Sequence, residues 1–110
     1  MDRRYEVYVT PDAEQNLFDI WKYLALDLQV PEIADDYVDR LASDAAKLDH
    51  TPYRHERVQD EPWHSRGVRR FLSEAFWIYY TVDDEKGIVW ILNYILVRRD
   101  QLKALARHRP

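Results

Sequence analysis

Arg66, Arg69 and Arg70 lead into one apolar stretch of the chain, and Arg98 and Arg99 follow another. A guanidinium presents a planar fork of donors that fits a carboxylate or a phosphate. Such a group could therefore grip an acidic protein segment, or stabilise the charge that develops when a phosphodiester is attacked. The second use also needs a group to activate a ribose 2′-hydroxyl and a proton donor for the leaving oxygen. Histidines are the natural source, because imidazole titrates near neutrality. His50, His55 and His64 share one polar stretch with Glu56 and Glu61, and His108 lies near the end of the chain. Should the chain cut RNA, the candidates are His64, Arg70, Arg99 and His108. The spacings of five and nine between the three clustered histidines match no familiar ligand motif, so neither a metal nor another cofactor is expected. Trp77, Tyr79 and Trp90 could stack on bases, but aromatics on a central strand usually belong to the core, and these three are expected there.

Charge is divided along the chain. Residues 1–49 carry 5 basic and 12 acidic side chains, and residues 50–110 carry 11 basic and 8 acidic, so a net −4 conceals an acidic half and a basic half. A polyanion could approach only the second. The competing use of the basic run is to pair with acidic residues of the first half.

The composition is 46% hydrophobic and 14% aromatic with 2 glycines and 5 prolines, which suits a folded chain rather than a disordered one. At 110 residues it has room for one core and one domain, over residues 1–110. With no cysteine there is no disulfide framework and no thiolate chemistry. The amino terminus lacks a signal-peptide core and no apolar run approaches bilayer length, so a cytoplasmic, membrane-free protein is expected.

These residues must be carried by a particular order of elements. Tyr5, Val7 and Val9 alternate with polar neighbours as in a short strand. Thr10 and Pro11 then start a helix, with Asp12 and Glu14 in its first turn. Its apolar face is Ala13, Leu17, Ile20, Trp21, Leu24 and Leu28. Pro31 opens a second helix with Ala34, Tyr37, Val38, Leu41, Ala45 and Leu48 inward. The stretch from His50 to His64 reads as a loop containing a short turn of structure. Strands follow at Val68 to Leu72, Phe76 to Val82 and Ile88 to Val97, the last two joined by a hairpin loop ending at Gly87. A short helix with Leu102, Leu105 and Ala106 inward closes the chain. The expected fold is α+β, in the order β-α-α-β-β-β-α, with a helical hairpin packed on a curved antiparallel sheet. Alternation sends Arg69 and Arg70 to opposite faces, and one of them is expected to share a site with Arg98 or Arg99.

YEVYVTPDAEQNLFDIWKYL, PEIADDYVDRL, RGVRRF, FWIYYTVDDEKGIVWIL and VRRD occur in the order and at the spacing of the RelE/ParE toxins of type II toxin-antitoxin systems. Over nearly its whole length the chain resembles that family. The resemblance implies a growth inhibitor with a part in plasmid stabilization, neutralised by a cognate antitoxin whose extended segment and helix wrap the toxin. Arg66, Arg69, Arg70, Arg98 and Arg99 would be the antitoxin- or target-binding residues. Both a homodimer and a toxin-antitoxin hetero-oligomer are compatible with it.

Family members divide by target. ParE-like toxins poison DNA gyrase, whereas RelE-like toxins cut mRNA in the ribosome. By alignment on the hairpin, Arg70 falls where RelE-like enzymes carry a strand lysine, and Arg98 or Arg99 near their late arginine. Trp77 stands where they carry an arginine, and no tyrosine follows Tyr94. The closer resemblance is to the ParE-like branch, with a RelE-like nuclease as the alternative and a non-toxic binding module as a third possibility.

Overall fold

The computed structural model of the chain describes residues 3–107. Its strands and α-helices are β1 (Glu6–Val9), α1 (Pro11–Lys22), α2 (Pro31–Ala46), β2 (Arg69–Ser73), β3 (Phe76–Asp83), β4 (Ile88–Leu96) and α3 (Arg99–Arg107), the expected order. The strands form one sheet in the order β1-β4-β3-β2. β2, β3 and β4 make an antiparallel meander, but β1 lies parallel to β4, so the sheet is mixed where an antiparallel one was expected. Alternation within a strand carries no information about the direction of its neighbour. Here the helical hairpin and the long loop supply the crossover that a parallel pair requires.

Thr10 joins the first two elements. Its Oγ1 accepts from the Ala13 backbone N–H at 3.2 Å, capping α1, and donates to the Ile91 carbonyl at 2.9 Å, fixing that cap to β4. After Lys22 the helix widens into a π-helical turn over Tyr23–Asp27, with the Leu28 N–H donating to the Tyr23 carbonyl. The extra residue in that turn buries both Leu24 and Ala25. Val30 has left helical geometry at φ −127°, as a residue before proline must, and Pro31 begins α2.

The helical hairpin covers one face of the sheet. Ile20, Leu24, Tyr37 and Leu41 form one cluster with Phe76, Ile78, Tyr80, Ile91 and Tyr94, and Leu102 of α3 joins it. Leu105 and Ala106 pack against its margin, as expected for the inward side of α3. Trp21 is only half-buried and donates its indole N–H to Asp35 Oδ1 at 2.7 Å, linking the two helices at their solvent edge.

The stretch between α2 and β2 is fastened down. It holds 3₁₀ turns at Lys47–Asp49 and Pro52–Arg54. The buried Tyr80 hydroxyl donates to the Pro52 carbonyl at 2.7 Å. Further on, the Val58 N–H donates to the Val68 carbonyl, and Arg57 bridges Arg69 at the outer edge of β2. Among the described residues no helix is long and apolar enough to cross a membrane.

This packing makes the two sides of the hairpin unequal. Leu41→Ala, at a fully buried position, is expected to cost about 2–5 kcal/mol of unfolding free energy. Phe18→Ala, at a position 52% exposed, should stay within about 0.5 kcal/mol. Urea titrations followed by circular dichroism check both, and equal losses would contradict the assigned helix faces.

Candidate functional site

The helices cover only one face of the sheet, so the side chains that alternate to the other face form an open surface. On β3, Phe76, Ile78 and Tyr80 point into the core while Trp77, Tyr79 and Thr81 are half-exposed. Trp90 lies opposite Thr81 and is 37% exposed. The expectation that Trp77, Tyr79 and Trp90 belong to the core is therefore corrected. β3 is interior to the sheet, but only one of its faces has a layer packed on it, and its aromatic sequence does not record which face that is.

Register sets Arg70 and Leu72 beside these aromatics, with Arg70 opposite Tyr79 and Leu72 opposite Trp77. The Arg70 guanidinium lies 4.1 Å from the centre of the Trp77 ring and donates through Nη1 to the Tyr79 hydroxyl at 3.1 Å. A cation held over an indole and tied to a phenol keeps its charge while losing freedom, which pre-orients it towards an incoming anion. The returning loop walls the surface with Val58, Asp60, Trp63 and Arg66, enclosing a cavity of about 440 Å³ whose floor includes Tyr79, Thr81 and Asn93. Arg66 lies 5.5 Å over the Trp63 ring, and Trp63 is itself 47% exposed.

The remaining candidates are dispersed. Arg69 turns to the opposite face, as alternation requires, where Nη1 donates to the His55 carbonyl at 2.6 Å and the guanidinium lies over Tyr53. Arg98 and Arg99 are exposed at the start of α3. Arg99 borders a second cavity between α1, β4 and α3, on the side of the sheet that the helices occupy. The expected site shared by Arg69 or Arg70 with Arg98 or Arg99 does not form, because α3 folds back beneath the sheet with Leu102 in the core while Arg70 is on the open face. Among the described residues none of these five arginines makes an ion pair, so they are not neutralised by the acidic helices.

The histidines do not converge either. His50 Nδ1 pairs with Asp49 Oδ1 at 2.7 Å. His55 stacks on Phe71 with ring centres 4.5 Å apart. His64 is exposed, and its Nδ1 meets the Val58 carbonyl at 3.1 Å. A carbonyl only accepts, so in that contact Nδ1 carries the proton. His64 does not line the cavity that Arg70 borders. His108 lies outside the described residues. Among those described, no three His, Cys, Asp or Glu side chains gather as a metal group would require.

Sequence reasoning missed Trp63 and Asp60 as walls of the cavity and Tyr79 as the anchor of Arg70. An exposed tryptophan in a polar loop is a signal that could have marked the first. The sequence model of "ParE toxin of type II toxin-antitoxin system, parDE" matches residues 7–102, which takes in the helical hairpin, the whole sheet and the start of α3. The chain belongs to the ParE toxin family. Among solved structures, the toxin fold is similar to a chain titled "Chromosomal ParDE TA system from P. aeruginosa", at 22% identity and TM-score 0.68, covering 86% of this chain and 97% of that one. It is also similar to a chain of the toxin-antitoxin complex RelBE2 from Mycobacterium tuberculosis, at 21% identity and TM-score 0.63, covering 86% and 92%. No match was found among curated proteins.

One titration follows from the loop that walls this ParE-family site. Burial, and after it the Arg54 charge, lower the His55 pKa below the ordinary 6.5. The unfolded chain then takes up its proton first as pH falls, so this contribution to stability is complete above about 6.5 and is lost towards the lower folded pKa. His55→Gln should flatten the fall in melting temperature between about pH 7 and about pH 5. An unchanged slope would contradict the lowered pKa of the half-buried ring.

Proposed function

We propose that this ParE-family toxin inhibits growth by binding a protein target, DNA gyrase as in ParE-like members, and that an acidic segment of a cognate antitoxin neutralises it by covering Arg70 and its surroundings. The observation that carries the reading is the Arg70–Trp77–Tyr79 stack. Trp77 stands where the resemblance places a catalytic arginine in RelE-like nucleases, and its ring serves instead as the seat of Arg70. An arginine would offer a phosphorane several donors and a charge, and removing one such donor typically costs about 10²- to 10³-fold in rate. Trp77 offers one neutral N–H. Among the described residues lining the cavity there is no histidine. What the cavity does offer is a fixed cation, a second arginine and exposed aromatic surface, the combination enriched at protein interfaces.

The same features support a second reading, RelE-like cleavage of mRNA on the ribosome. Unpaired Arg66 and Arg70 beside Trp63, Trp77 and Tyr79 also suit a single-stranded nucleic acid. Two assays run side by side separate them. The expected outcome is no cleavage by primer extension on ribosome-bound message, gyrase-dependent DNA breaks in a supercoiling assay, and relief of both breaks and toxicity by the neighbouring gene product. Codon-position-specific cuts that disappear in Arg70→Ala would reverse the preference. Inactivity in both assays together with tight antitoxin binding would leave a non-toxic binding module.

Antitoxin capture has its own check. Arg70→Glu should weaken co-purification with the antitoxin at least about 10-fold, since one like-charge contact replaces a charge-assisted pair. Unchanged recovery would place the antitoxin elsewhere on the toxin.

A further inference from the structure

The second cavity, of about 280 Å³, is walled by Asn16, Asp19, Ile20 and Tyr23 of the first helix, by the end of β4, and by Arg99 and Leu102 of α3. Tyr94 lines it. That residue is 3% exposed, and its hydroxyl is the one buried side-chain polar atom among the described residues that has no hydrogen-bond partner. Burial pushes its pKa up to about 12, so the group stays a neutral donor and acceptor throughout the physiological range. A buried hydroxyl left unpaired is costly, and proteins satisfy nearly all such groups. Two polar neighbours in the lining, Asn16 and Asp19, have an oxygen engaged elsewhere. Asn16 Oδ1 accepts from the Tyr94 backbone N–H at 3.0 Å and from Asn93 Nδ2 at 3.1 Å. Asp19 Oδ1 accepts from Gln15 Nε2 at 2.9 Å.

The rim of the cavity has the character of an interface. Ile95 is 44% exposed and borders both this cavity and the one beside Arg70, while Val97 beyond it is exposed to the same extent. Arg98, Arg99, Lys103 and Arg107 make this end of the chain cationic, with Asp100 as the single carboxylate of α3. An acidic segment lying over Arg70 could thus continue past Ile95 into a surface of matching charge.

We propose that the cavity between α1, β4 and α3 receives an aromatic side chain with a polar edge, a tyrosine or tryptophan, from the acidic antitoxin segment, and that this side chain's hydrogen-bonding group pairs with the Tyr94 hydroxyl. This rests on the antitoxin reading given above. Ile20, Phe76, Leu96 and Leu102 supply apolar walls for the ring. An aliphatic anchor would fill the same walls but leave the hydroxyl unpaired, so Tyr94 selects for the polar edge. Buried pockets filled by such aromatic anchors carry a disproportionate share of interface energy.

Tyr94→Phe in the full chain separates this role from a structural one. Removing an unpaired buried hydroxyl should leave the melting temperature of the free toxin unchanged or higher, while affinity for the antitoxin, measured by calorimetry, falls about 2- to 10-fold. A double-mutant cycle against Tyr→Phe or Trp→Phe at each aromatic of the antitoxin should find one position at which the two losses do not add. Equal affinity of Tyr94→Phe and the wild type, or a lower melting temperature of the free variant, would overturn the inference while leaving the antitoxin reading intact. So would a cycle in which every antitoxin aromatic is additive with Tyr94→Phe. Failure of the wild type to bind the neighbouring gene product at all would remove both.

Discussion

The burial of one face of β3 under the helical hairpin is the constraint from which the remaining geometry follows. Phe76, Ile78 and Tyr80 are all but inaccessible, and strand alternation then obliges Trp77, Tyr79 and Thr81 to face the other way. Because the chain has helices enough for one side only, that other side stays open. The large apolar and aromatic area left there is what a monomeric domain normally hides. Tyr80 extends the same constraint to the loop, since its hydroxyl holds the Pro52 carbonyl and its ring meets His55 and Phe71 edge-on. With one end of the loop fixed to the core and the other hydrogen-bonded along β2, its middle stands over the open face and becomes the wall of the cavity.

Charge is arranged by the same division of layers. The hairpin, residues 11–46, carries 9 acidic side chains against 2 basic ones, and Arg40, with Lys47 just beyond it, pairs with Asp36, Glu74 and Asp44. Arg54, Arg57, Arg66, Arg69 and Arg70 of the second half are instead placed over rings or on backbone carbonyls, where their charge is oriented without being cancelled. Exposed ion pairs add little to stability, so this partition matters less for folding than for the surface it leaves. The protein offers an acidic helical side and a basic, aromatic sheet side.

Membership in a toxin family does not decide the chemistry of a site. One fold can carry unrelated activities, so the reading of this sheet rests on the side chains of its open face. There Trp77 supports Arg70 from beneath its guanidinium. Arg70 gains a defined direction from that support, and Arg66 shares the lining of its cavity.

Much of this was legible in the residues themselves. Thr10 and Pro11, the steps of three and four that follow, Pro31, and the turn ending at Gly87 fix the elements, because caps, prolines and periodicity act over a few neighbouring residues. The opposite facing of Arg69 and Arg70 came from the same local rule. Three matters depended on distant parts of the chain meeting. The parallel pairing of β1 with β4 required the crossover to bring the first strand back beside the last. The exposure of Trp77, Tyr79 and Trp90 depended on there being no second helical layer, which an aromatic strand cannot announce. The separation of Arg70 from Arg99 arose because Leu102 draws α3 beneath the sheet while register holds Arg70 above it. Local chemistry in the sequence determined which elements form and which side chains could act, whereas the packing of those elements decided which side chains meet.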